Sequence, residues 1–218
     1  MTPSNARAFF ITLEGPEGSG KSTHAPRLAE YLRSQGRDVF LTREPGGTAI
    51  GDQIRTILND HANAEMHPRA EILLFCASRA QLVNRMIRPQ LERGGTVVCD
   101  RYSDSTLAYQ GYGHGLDLGI LRSISDFATD NLIPDLTLLL DLPVEVGLAR
   151  RRQSNSDWNR LDALDVEFHR RVRQGYLDLA GGEPGRWTRI DAERNEDEVW
   201  SQIMKAVSAR MAVPGTAG

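Results

Sequence analysis

Five short apolar runs punctuate the chain, at Phe9–Glu14, Asp38–Thr42, Thr96–Asp100, Leu136–Leu142 and Trp187–Asp191. Each is aliphatic or β-branched and bounded by turn residues, without the polar alternation of a half-exposed strand, so burial on both faces is expected. Between them the apolar positions switch to helical spacing, over Lys21–Gln35, Ile50–Asn59, Ala70–Arg93, Asp117–Asn131, Pro143–Arg152, Ala163–Ala180 and Glu196–Met211. Gly36 stands just past the first of these, where a helix C-terminus favours glycine. Strands alternating with helices predict an α/β fold whose parallel sheet is covered on both faces. Two segments break the rhythm. Gln153–Asn159 (QSNSDWN) is a polar stretch between arginine-rich flanks and reads as a flap, and Ala212–Gly218 reads as a frayed tail. With no internal repeat, residues 1–218 read as one domain.

Composition narrows the class without choosing the chemistry. The 218 residues are 40% hydrophobic and 25% charged, enough for a full globular core. A net charge of −3 gives no general attraction to nucleic acid or anionic membranes, so any anion site must be built locally. Cys76 and Cys99 sit in apolar runs at a spacing that suits neither a disulfide framework nor a metal, and are expected to be buried, reduced thiols. The five histidines share no ligand spacing. No run is long enough for a signal or a membrane span, and a cytoplasmic protein is expected.

The chemistry begins at LEGPEGSGKST, residues 13–23. Only two lysines occur in the chain, Lys21 and Lys205, so the one in this glycine-rich turn attracts notice. Gly15-Pro16-Glu17-Gly18-Ser19-Gly20-Lys21-Ser22 fits G-x-x-x-x-G-K-[ST] directly after a predicted strand and at the start of a helix. In that setting the glycines let successive N–H groups turn inward on phosphate oxygens, and the helix N-terminus adds partial positive charge. Lys21 would reach the β/γ-phosphates and Ser22 would ligate Mg²⁺. Asp100, ending a predicted strand, is the first choice for a second metal ligand, with Asp141 as a rival. Arg43 and Arg101, also at strand ends, would face the same crevice and suit a second phosphate. Surface salt bridging is the ordinary alternative for both. Arg150, Arg151, Arg152 and Arg160 flank the flap and read as a lid that brings charge to a transferring phosphoryl, or else as a favourable helix end.

Six stretches together resemble bacterial thymidylate kinase: LEGPEGSGKST, TREPGGT (42–48), LLFCASRAQLV (73–83), CDRYSDSTLAYQG (99–111), PDLTLLLDLP (134–143) and NRLDALDVEFHRRVRQGYLDLA (159–180). The resemblance implies a P-loop kinase of three layers, with a five-stranded parallel sheet flanked by helices and a short lid at about 150–162. It implies ATP with Mg²⁺ as donor, dTMP as acceptor, and a homodimer with neither nucleic acid nor membrane as partner. ATP would lie on Gly15 to Thr23. The dTMP site would comprise Arg43, Glu44, Phe75, Arg79, Arg101, Ser105, Thr106, Tyr109 and Gln110. Phe75 would stack on the thymine, Arg79 would address its edge, and Tyr109 would pack against the sugar. Glu17 would lie near the acceptor sugar. Lys21, Arg101, Glu17 and Arg160 would be the catalytic set, Arg160 standing in for an arginine that some relatives carry where this chain has Gly18. From pattern alone Phe75 reads more readily as a core residue.

Overall fold

The computed structural model describes residues 7–154 and 158–212. The expected tail beyond Ala212 and the middle of the flap, 155–157, lie outside them. All five expected strands form: β1 Phe9–Glu14, β2 Val39–Arg43, β3 Thr96–Asp100, β4 Leu136–Asp141 and β5 Trp187–Asp191. They pair in parallel in the order β2-β3-β1-β4-β5. Strand side chains alternate between faces. Phe9, Ile11 and Leu13 of β1 accordingly join Leu136, Leu138 and Leu140 of β4 in one core cluster, against α1 (Lys21–Ser34) and α9 (Glu196–Ala212). Phe10, with Val97 and Cys99 of β3, faces the other way.

The opposite face is covered by α3 (Pro68–Leu82), α6 (Leu118–Thr129) and α8 (Val166–Gly182). The long apolar stretch expected as one helix over Ala70–Arg93 is jointed: α3 passes through a π-helical turn, Val83–Ile87, into α4 (Arg88–Glu92). The turn lies just before Pro89, which has no N–H to return to the preceding helical turn. The helix expected from Ala163 starts at Val166, because Asp165 caps it by accepting from the Phe168 N–H at 2.6 Å. Another helical segment carries no sequence signal. α5 (Ser103–Thr106) continues as a π-helix over Leu107–Gly113, and nearly every residue of that continuation is buried, so no amphipathic stripe marks it. Gly113 permits its close contact with α8, since a methyl group there would collide with the Phe168 ring. α2 (Ala49–Asn59) leans on α3, and α7 (Val144–Gln153) follows β4.

The strand register brings the chemistry to one edge. Leu13 of β1 and Arg43 of β2 both align with Asp100 of β3. The loops after these carboxyl-terminal ends meet beside the middle strand, where α/β sheets open a crevice.

Candidate active site

Gly15 to Gly20 curl back over the sheet edge, and Gly20, with φ 90°, hands the chain into α1. The first turn of a helix leaves its N–H groups without intrahelical partners, and here that turn opens into the crevice. Gly18 has φ 68°, and a methyl group on it would overlap the Gly147 carbonyl of α7. A P-loop arginine therefore has no place here. Lys21 is buried and donates to the carbonyls of Gly15 and Pro16 at 3.0 and 2.9 Å and to Ser19 Oγ at 3.1 Å. Burial, then the Arg101 charge, pulls its pKa down to about 8. Ser22 Oγ donates to Asp100 Oδ2 at 2.8 Å, so the two expected metal ligands lie side by side. The rival Asp141 is occupied elsewhere, held by Arg173 and Arg189.

Beyond the P-loop, Arg101 is the hub. Its backbone adopts φ 70°, a strained setting for a residue with a side chain, and its N–H donates to Leu13 O at 2.9 Å. The guanidinium donates to Gly15 O (3.1 Å), Tyr176 OH (3.0 Å), Tyr109 OH (2.9 Å) and Glu17 Oε1 (2.9 Å). Tyr109 OH donates to the same Glu17 oxygen at 2.5 Å. Burial alone would raise the Glu17 pKa, but Arg101, Lys21 and the Tyr109 hydrogen bond outweigh it and hold the carboxyl at about 2. Glu14, which sequence reading passed over, closes the network from beneath. It is fully buried and accepts from Tyr102 N, Ser105 Oγ and Tyr176 OH at 2.7, 2.6 and 2.9 Å. Burial, reinforced by Asp104, pushes its pKa up to about 7.

Lys21, Glu17, Arg101 and Tyr109 of this network line one cleft of about 650 Å³. Glu17 to His24 line it, together with Arg43, Glu44, Phe75, Asp100, Arg101, Ser105, Thr106, Tyr109 and Gln110, and with Ala192, Arg194 and Asn195 after β5. Phe75 belongs to none of the three apolar clusters and is half-buried against the cleft. Arg43 is more than half exposed and stands 3.5 Å from Asp52.

Four expected members, Gly15, Pro16, Arg79 and Arg160, do not line the cleft. Arg79 is buried in its wall, paired through Nε with Glu44 at 2.7 Å and donating to Thr106 Oγ1 at 3.0 Å and Tyr102 O at 3.2 Å. Arg160 is also buried, bonded to Leu58 O at 3.0 Å and to the Glu71 carboxylate. The lid arginines that do line the cleft are Arg150 and Arg151. Arg150 is tied to the carbonyls of Ala192 and Glu193. Arg151 makes a bidentate pair with Asp162 at 3.1 and 2.7 Å. Sequence reasoning also missed Arg55, which lines the cleft and donates to Pro45 O, and Tyr176. Both sit in ordinary amphipathic helices and carry no local signal. Glu14 did carry one, as a carboxylate ending an otherwise apolar strand immediately before a phosphate loop.

Known proteins resemble the chain along nearly its whole length. A family model described as thymidylate kinase matches residues 13–203. A thymidylate kinase of Deinococcus radiodurans is 53% identical over 205 residues, covering 94% of this chain and 98% of that protein. One from Roseiflexus sp. (strain RS-1) is 50% identical over 216 residues, with 94% and 96% covered. A crystal structure of thymidylate kinase from Ehrlichia chaffeensis superposes with a TM-score of 0.74 at 33% identity, covering 92% of this chain and 99% of that one.

Proposed function

The chain belongs to the thymidylate kinase family, and from that membership we infer that its cleft transfers the γ-phosphoryl of ATP to the 5′-phosphate of dTMP, giving dTDP for dTTP synthesis. It is a phosphotransferase with a phosphate acceptor. The observation that carries the assignment of residues is the single cleft in which Lys21 and the first turn of α1 face Arg101, Tyr109 and Phe75. One end suits a triphosphate held by main-chain amides, the other a monophosphate held by guanidinium groups.

The roles follow from the contacts. Lys21 leaves the carbonyls of Gly15 and Pro16 for the donor phosphates. Arg101 and Arg43 grip the acceptor phosphate, with Glu17 and Tyr109 fixing the angle of the Arg101 fork. Phe75 stacks on the thymine. The nucleophile is a phosphate oxygen whose second pKa is about 6, so it is ionised near neutrality and needs no general base. Catalysis is then alignment and charge neutralisation. Ser22 and Asp100 offer adjacent hard oxygens at the phosphate loop, a pair that fits Mg²⁺ carried in with a nucleotide. When bound there, the ion neutralises charge on the phosphates.

The lid spans about 150–162. Arg160 is buried against Glu71, so the cation that meets the transferring phosphoryl from the lid is assigned to Arg151, while Arg160 anchors the lid base. Exposed Leu73 on α3 and Ile120 and Phe127 on the adjoining α6 support a homodimer formed through these helices. No helix among the described residues is long and apolar enough to cross a membrane. Free, buried Cys76 and Cys99 are in keeping with a cytoplasmic enzyme.

A coupled ADP-release assay with dTMP, dUMP, dCMP, dGMP or no acceptor tests the reading. Fast turnover with dTMP alone, or with dTMP far above dUMP and dCMP, is expected. ATP turnover indifferent to every monophosphate would overturn it.

A further inference from the structure

Glu14 ends β1 with its side chain fully buried, and neither it nor the buried Tyr176 lines the cleft. Each stands one hydrogen bond from a residue that does. Glu14 Oε2 accepts from Ser105 Oγ at 2.6 Å and from Tyr176 OH at 2.9 Å, while Oε1 accepts from Tyr102 N at 2.7 Å. The two hydroxyls lie 2.8 Å apart, and Arg101 Nη1 donates to Ser105 Oγ at 3.3 Å and to Tyr176 OH at 3.0 Å. The other terminal nitrogen, Nη2, donates to Glu17 and Tyr109.

The direction of each of these bonds is forced. A guanidinium donates and cannot accept, so both hydroxyls must turn lone pairs to Nη1 and send their hydrogens elsewhere. At most one of the two hydrogens can go to the other hydroxyl. A carboxylate oxygen has room for both. Burial pushes the Tyr176 phenol well above its ordinary pKa, so it keeps its hydrogen to give. The third contact seats the carboxylate itself, because the Tyr102 N–H belongs to the backbone and cannot rotate away.

We infer that Glu14 is a positioning residue for the acceptor phosphate: by drawing the hydrogens of Ser105 and Tyr176 to itself, it makes both hydroxyls acceptors that pin Arg101 at Nη1. The inference rests on the reading of Arg101 as the grip on the dTMP phosphate and deepens it. Arginine carries a long side chain with much rotamer freedom, and a guanidinium fixed beforehand loses less of that freedom when phosphate binds. Glu17 and Tyr109 hold one edge of the fork from within the cleft, and Glu14 secures the other through two hydroxyls.

Glu14→Gln keeps the shape and changes the hydrogens. The fixed Tyr102 N–H requires the amide oxygen, so the NH₂ group faces Ser105 and Tyr176 and donates to them. One hydroxyl hydrogen is then turned on Arg101, and Nη1 loses its seat. At about pH 8, above the value of about 7 to which burial raises Glu14, the dTMP Kd read by calorimetry should rise about thirtyfold. The KM for ATP should move by less than about threefold. Tyr176→Phe deletes one link, leaves Glu14 two donors, and should weaken dTMP about tenfold. Both changes act on one nitrogen, so the double variant should lose no more than about threefold beyond the worse single variant. A general loosening of the fold would give additive losses instead. A folded Glu14→Gln protein that binds dTMP within about threefold of wild type overturns the inference, and so do additive losses. Where Glu14→Gln fails to fold, Tyr176→Phe alone decides, by weakened or unchanged dTMP affinity. Wild-type protein that neither binds nor phosphorylates dTMP would overturn the function itself, a result distinct from an unmoved Kd.

Discussion

A change of pH alone should expose the state of Lys21. Its ammonium is buried and its three donors are taken by Gly15 O, Pro16 O and Ser19 Oγ. Burial and the neighbouring Arg101 lower its pKa from 10.5 to about 8. A triphosphate in the P-loop would lay negative charge against that ammonium and raise the value again. Nucleotide binding is therefore linked to proton uptake. Below about pH 8 the free protein already carries the proton; above it, binding must draw one from solution, so affinity falls as pH rises. For a free-state value of about 8, the association constant should drop about tenfold between pH 7 and pH 9, or about 1.4 kcal/mol. A phosphate with a second pKa of about 6 does not titrate in this window. Calorimetry with a non-hydrolysable ATP analogue, in two buffers of different ionisation enthalpy, reads both quantities. About half a proton should be taken up per nucleotide at pH 8. Lys21→Met should bind weakly and show no such coupling. Equal wild-type affinity at pH 7 and pH 9, with no proton uptake, would refute the reasoning.

Three further outcomes concern the lid and the acceptor. Arg151→Ala should lower kcat by roughly a hundredfold to a thousandfold with little change in the dTMP KM, as expected for charge applied to the transition state. Arg160→Ala should instead cost about 3–5 kcal/mol of stability by removing the guanidinium that pairs with buried Glu71, read by denaturant unfolding. If Arg160→Ala spares the fold and abolishes kcat, the two lid assignments exchange. Phe75→Ala should raise the dTMP KM roughly tenfold while moving stability by less than about 1 kcal/mol, because the ring faces the cleft rather than the packed interior. An unchanged KM with a destabilised fold would return Phe75 to the core.

The sequence by itself determined five parallel strands alternating with helices and the position of the phosphate loop. These follow from local rules: unbroken β-branched runs of about five residues, helical spacing between them, and glycines at set intervals before a lysine. The families of side chains on either side of the site were legible only as strings, EPGGT and DRY…AYQG, whose meaning came through resemblance. Only the tertiary structure decided the pairings. Lys21 next to Arg101, Glu14 beneath Ser105 and Tyr176, Glu71 between Arg160 and Gln110, and Arg79 against Glu44 join residues far apart in the chain. Arg160 and Arg151 are alike as letters; burial against a carboxylate in one case and a place on the cleft in the other separates them. The reason is physical. Backbone conformation answers to neighbours along the chain, whereas the charge and hydrogen-bond direction of a buried group answer to whichever ions folding brings against it.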